Sequence, residues 1–360
     1  MPPLFIKGMT LNALFFEEAV KPILAEHFPS LVYSAARLGS GSEVLGYDTA
    51  RSMDHHWGPR VDVFLQDADA ERHSANIIRV LRETLPREIH GYATHFADNE
   101  DGSGVMAKIE SGPIQHGVTV QTLRSFFTAY LGCDPRDGLS ATDWLTFPEQ
   151  RLCTIASGRV FHDGLGELES LRAQLHYYPH DLWLYRLAAQ WRRIDQDEPF
   201  MGRSGEVDDE LGSRLVAARL VRELMRLCFL MERRYAPYTK WFGTAFARLA
   251  CAPTLMPLFE RVLNTPTWQE RERHLSAAYV AAAEHHNRLG LTPPLVAEVS
   301  NFHTRPFRVL HSSRFVDALR DEAVLRLPPH LGSLDQFVDS VDVLTEARLF
   351  GRLAAMYGTE

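Results

Sequence analysis

Apolar residues recur along this chain with two different periods, and the change of period divides it. Leu11, Leu14, Phe15, Ala19, Ile23 and Leu24 fall near one face at helical spacing, which predicts an amphipathic helix over Leu11–Phe28. After Pro29, the run Leu31–Leu38 predicts a strand that ends in Gly39-Ser40-Gly41-Ser42. Arg60–Leu65 is short and β-branched and predicts a second strand. A helix over Ala68–Leu85 is expected next, with Asp67 as its cap. Gly117–Val120 predicts a third strand, running into a helix over Thr122–Leu131. Strands and helices alternate here, the pattern of a mixed α/β unit.

Beyond about residue 136 the helical period dominates, over 181–194, 209–235, 239–251 and 267–289. In 209–235, Leu211, Leu215, Ala218, Leu220, Leu224, Leu227 and Leu230 make one stripe, expected to be buried in a bundle. Pro328-Pro329 and Gly332 break the tail into short helices. The expected fold class is α+β: an α/β domain at 1–135, then a larger α-helical domain at 136–360.

Composition narrows the classes without choosing a function. Of 360 residues, 45% are hydrophobic and 23% charged, which excludes a disordered chain, a collagen-like fibre and a coiled-coil rod. The net charge of −8 lacks the global basic field that holds long nucleic acids, so nucleic acid is not an expected partner. Four Lys stand against 34 Arg, so Lys7, Lys21, Lys108 and Lys240 each draw interest. Cys133, Cys153, Cys228 and Cys251 form no CxxC and no close pair, and reduced thiols are expected, with no zinc held by cysteine. No targeting segment is visible, and Leu224–Met231 is far short of the ~18–20 apolar residues of a membrane span, so a cytoplasmic protein is expected.

One segment carries chemistry: the turn Gly39-Ser40-Gly41-Ser42-Glu43-Val44-Leu45-Gly46, then Ser52-Met53-Asp54-His55-His56-Trp57-Gly58-Pro59-Arg60-Val61-Asp62. Glycines let backbone N–H groups approach phosphate oxygens, and the Ser42 hydroxyl adds a donor. A carboxylate at the head of the next strand is placed to hold a divalent metal that bridges the phosphates. Lys240, at the start of a helix, offers a compact charge for a triphosphate. Neither HExxH nor GxSxG occurs, so a zincin or an α/β-hydrolase finds no support.

The Gly-Ser turn followed by Ser52-x-Asp54 resembles the nucleotidyltransferase superfamily, kanamycin-nucleotidyltransferase-like. Gly41–Gly46 together with Ser52-x-Asp54-His55-x-Trp57-Gly58-Pro59-Arg60 is similar to the DUF4037 family. Asp143-Trp144-Leu145, Gly158–Asp163, Tyr177–Trp183, Arg233–Trp241 and Asp335–Asp339 extend the likeness over most of the chain. The resemblance implies an N-terminal nucleotidyltransferase-like mixed sheet and a helical domain that closes over the active-site cleft. It also implies transfer of a nucleoside monophosphate, AMP from ATP first, to a hydroxyl of a small-molecule acceptor. A protein or tRNA acceptor stays open.

In this reading Gly41, Ser42 and Ser52 hold phosphates with Lys240, and Mg²⁺ or Mn²⁺ sits on Asp54, His56 and Asp62. The chain departs from the pattern at His56, where similar proteins carry a second Asp. Imidazole suits manganese, zinc or nickel better than magnesium. A softer metal, a contribution from Asp62, and a degenerate fold that binds a nucleotide or partner without catalysis all follow from that departure. Glu110 and Asp163 are candidates for a third acid, and Trp57 for flanking a base.

Overall fold

The computed structural model describes residues 4–98, 104–322 and 331–358; Pro328-Pro329 lie outside them. The chain is α+β and forms two compact units. Met1–Leu139 and Arg151–His176 make the first, Ser140–Gln150 and Tyr177–Glu360 the second. The path therefore crosses between units three times, and a strand at Arg159–Asp163 belongs to the first unit although it follows position 136.

The first unit is built on a four-stranded sheet. β1 (Tyr33–Arg37) lies between β2 (Arg60–Leu65) and β4 (Arg159–Asp163), antiparallel to both, and β3 (Gly117–Thr122) runs parallel to β2 on its other side. Side chains alternate along β2. Val61, Val63 and Leu65 enter the main core with Leu11, Phe15, Phe16, Val20, Ile77 and Leu81. Asp62 and Phe64 fall on the other side, where Phe64 meets Phe126 edge-on. In register, Asp62 lies between Ala36 of β1 and Thr119 of β3. That is the centre of the sheet, an expensive place for a carboxylate without partners.

The predicted first helix appears as α1 (Gly8–Phe15) and α2 (Lys21–His27), joined by a π turn at Phe16–Val20. Pro22 has no N–H to give to the ladder, and the wider turn precedes it. Strand β2 has the predicted limits, and α3 (Asp67–Thr84) and α4 (Leu123–Leu131) follow their strands as expected. Asp67 lies inside the first turn of α3 rather than capping it; the cap position is Gln66.

The second unit contains α5 (His180–Asp197), α6 (Glu210–Met231), α7 (Thr239–Phe246), α8 (Ala252–Asn264) and α9 (Trp268–Arg288). Leu211 and Leu215 are 69% and 65% exposed, contrary to the buried stripe expected of them. The packed face near the start of α6 is carried by Ser213, Ala217, Leu220 and Leu224. Leu211 and Leu215 each stand two residues from Ser213, about 200° round the helix. No helix among the described residues is long and apolar enough to cross a membrane.

Candidate functional site

The glycine-rich turn begins where β1 ends. The amide of Tyr47 donates to the Ser42 carbonyl at 2.9 Å, and that of Gly46 to the Glu43 carbonyl at 3.2 Å, which closes a helix-like turn over 42–47. As at a helix start, the first amides have no acceptor within the turn itself. Among the described residues no oxygen accepts from the amides of Gly41, Ser42 or Glu43. Gly41 is required by a close approach: a Cβ there would lie 2.5 Å from the Glu43 carboxylate oxygens.

That carboxylate anchors a buried ionic cluster beneath the turn. Arg37 Nε donates to Glu43 Oε1 at 3.0 Å, and Arg60 Nη2 donates to the same oxygen at 2.6 Å. Arg37 also donates to Asp62 Oδ2 at 3.4 Å and to the carbonyls of Leu38 and Ser40. The Leu38 amide completes the set, donating to Asp62 Oδ2 at 3.3 Å. Burial works against the Arg37 charge, but Asp62 and Glu43 outweigh it and raise its pKa. Arg60 goes the other way: burial, and then the neighbouring Arg37, push it down to about 10. The Arg60 side chain keeps 20% of its surface open against 8% for Arg37, so Arg60 is the less buried cation of the pair.

The expected metal ligands are distributed differently. Asp54 ends a 3-10 turn, Ala50–Asp54, instead of standing on a strand, so its even spacing from Asp62 confers no shared face. Its exposed carboxylate lies 2.8 Å from His55 Nδ1. His56 is exposed, with a left-handed φ of 47°, and its amide donates to the Gly104 carbonyl at 2.9 Å. Asp62 is buried against Arg37. Donor atoms of Asp54, His56 and Asp62 make no group within 4.8 Å. A cation on Asp62 would also lie beside the Arg37 guanidinium, so these residues do not fit Mg²⁺ or Mn²⁺ in this geometry.

Several other candidates have structural work. Ser52 Oγ accepts from the Thr49 amide at 3.1 Å and closes a capping box on the 3-10 turn. Trp57 is 1% exposed and packs on Phe5 and Tyr92, so it does not flank a ligand; its Nε1 donates to Asp48 at 3.1 Å. Asp163 accepts from Ser34 Oγ at 2.6 Å and from the amides of Leu168 and Glu169. Burial opposes its charge, yet Ser34 and those amides hold its carboxyl below the ordinary value. Glu110 is exposed. Lys240 lies in the second unit, exposed at the start of α7, its Nζ 5.0 Å from the Trp241 ring centre.

Sequence reasoning assigned no role to Arg37, Glu43, Arg60 or Asp48. Asp48 accepts from the Gly8 amide at 2.7 Å as well as from Trp57, and ties the segment after the turn to α1. The available signal was Arg37 and Arg60 at the ends of two apolar strands, with Glu43 and Asp48 in the segment between them, where burial demands pairing.

Against this geometry stand the comparisons with known proteins. A family model matches residues 144–242. It is DUF4037, a domain of unknown function. The resemblance to DUF4037 noted in the sequence therefore stands on that stretch, which includes Lys240 but not the turn or Asp54. No curated protein matches the chain. Among solved structures, a nucleotidyltransferase-like protein from Exiguobacterium sibiricum is similar at 10% identity, covering 76% of this chain and 79% of that one. Its TM-score is 0.31, too low to carry an argument about fold or activity.

Proposed function

We propose that this DUF4037 protein is a nucleotidyltransferase-like protein that binds a nucleoside triphosphate, ATP first, on the 41–46 turn, and does so without two-metal transfer. The observation that carries this reading is the set of unpaired amides at Gly41, Ser42 and Glu43, in a turn whose Glu43 carboxylate is held by the guanidiniums of Arg37 and Arg60. Backbone donors at the start of a turn, with cationic side chains nearby, suit phosphate oxygens. The resemblance in sequence supplies the nucleotide; the geometry supports only an anion of that shape. AMP transfer to a small-molecule hydroxyl, with Mg²⁺ or Mn²⁺ on Asp54, His56 and Asp62, lacks support because those donors do not converge and Arg37 occupies Asp62.

Calorimetric titration with ATP, GTP, CTP and UTP, each with EDTA, Mg²⁺ or Mn²⁺, tests the binding. Saturable binding that persists in EDTA and is lost in Arg60→Met supports the reading. Absence of binding under every condition overturns it. Incubation with α-labelled ATP tests the chemistry: label transfer that needs Mn²⁺ and stops in Asp54→Ala would restore the transferase and overturn the claim of binding without transfer.

A further inference from the structure

Three donor side chains, far apart in sequence, converge in the second unit. Glu232 follows α6, Cys251 precedes α8 and His285 lies near the end of α9, and one donor atom from each falls within 4.8 Å of the others. His285 Nε2 stands 4.0 Å from Glu232 Oε1, too far for a hydrogen bond, and it is buried without a partner. Glu232 is oriented in advance: the amides of Ala250 and Cys251 donate to its two oxygens at 2.8 Å each, which leaves further lone pairs on both. Cys228 is fully buried. A cavity of about 230 Å³, lined by Cys251, Thr254, Leu255, Ala281, His285 and Arg288, opens on the group.

We propose that Glu232, Cys251 and His285 ligate a zinc-class divalent cation, with the fourth position facing the cavity and taken by water. One thiolate, one imidazole and one carboxylate form a mixed donor set that favours zinc over magnesium or calcium. Tetrahedral zinc with such ligands has edges of about 3.4 Å, so the 4.0 Å separation of His285 and Glu232 closes by roughly 0.6 Å on loading. Loading breaks the Cys251 S–H bond, sends that proton to solvent and forms the metal–sulfur bond. The two amides on Glu232 keep their bonds and fix the carboxylate, as outer partners of metal ligands do.

Arg288 opposes the ion. Its guanidinium donates to His285 Nδ1 at 3.2 Å, which places the imidazole proton on Nε2, the atom that has to ligate. Arg288 is exposed, and on loading its side chain swings away into solvent, after which the proton resides on Nδ1. The site shares no residue with the turn at 41–46, so it stands or falls independently of nucleotide binding.

The test uses the full chain, reduced and stripped with EDTA, then titrated with Co²⁺ as an optical probe and with Zn²⁺ in competition. One equivalent of Co²⁺ is expected to give a thiolate charge-transfer band with tetrahedral d–d bands, displaced by Zn²⁺. Cys251→Ser should abolish the thiolate band, His285→Gln should weaken binding by at least about tenfold, and Arg288→Ala should tighten it. Cys153→Ser, in the first unit, should leave the band intact. Far-UV circular dichroism checks that each variant is folded; if Cys251→Ser is not, the His285→Gln and Arg288→Ala pair decides. A folded wild type without the band, a band that survives Cys251→Ser, or affinity unchanged in both His285→Gln and Arg288→Ala overturns the proposal.

Discussion

Replacing Asp62 by Asn keeps the shape of the side chain and removes its charge, which separates a structural ion-pair partner from a working ligand. The cluster beneath the turn is balanced, Arg37 and Arg60 against Glu43 and Asp62. Asp62→Asn leaves it with one excess buried cation. Removing one member of a buried pair costs about 3–5 kcal/mol in general. Here the two bonds to Asp62 Oδ2 are long, 3.4 and 3.3 Å, and an Asn carbonyl still accepts from the Leu38 amide. The expected cost therefore falls at or below the lower bound of that range, about 2–3 kcal/mol. For a unit of this size each kcal/mol moves Tm by roughly 2–4 °C, so the melt should fall by about 4–12 °C. Arg37→Met should be worse, because that guanidinium also serves Glu43 and the carbonyls of Leu38 and Ser40. Circular-dichroism melts at neutral pH, with urea titrations to check the slope, give the numbers; the double variant should lose less than the two single losses summed. A Tm for Asp62→Asn equal to or above wild type would refute the reasoning, since it would mean that the carboxylate is held there at a cost to stability.

Three further expectations follow from other parts of the chain. Glu198 is buried and its carboxyl is pushed up to about 7 by desolvation, although the amides of Ser312 and Leu310 donate to it. The folded state thus binds the extra proton, and Glu198 costs stability as pH rises from about 4.5 to about 7. Melts of Glu198→Gln minus wild type should show a difference that grows in the variant's favour between pH 5 and pH 8; a flat or opposite trend would contradict it. Gly205→Ala would put a Cβ 2.2 Å from the Trp268 ring, and overpacking of this kind should cost about 1–3 kcal/mol by chemical denaturation. Gly41→Ala displaces the Glu43 carboxylate and with it the Arg37 and Arg60 guanidiniums. Calorimetry should find triphosphate binding weakened by about tenfold or more, a loss of about 1.4 kcal/mol; unchanged affinity would remove the turn from the site.

The sequence by itself determined the type and much of the extent of several elements. Strand β2 and helices α3, α4, α6 and α9 were legible because periodicity and caps are local properties, carried by neighbours a few residues apart. Asp209 caps α6, accepting from the Gly212 amide at 2.7 Å. The glycine-serine turn was also legible, since Gly and Ser clustered after an apolar strand mark a turn within the local sequence. What tertiary structure alone decided is which side chains meet. Leu211 and Leu215 obey the helical period but face outward, because the period gives a stripe and packing chooses the face. Asp54 and Asp62 look equivalent as carboxylates near one strand. The 3-10 turn at 50–54 leaves the first in solvent, while the pairing of β1 with β2 delivers the second to Arg37. The return of 151–176 to the first unit and the meeting of Glu232, Cys251 and His285 depend on contacts between residues far apart in the chain. No local spacing encodes such contacts, since each is settled by the burial of two complementary surfaces rather than by the residues beside it in sequence.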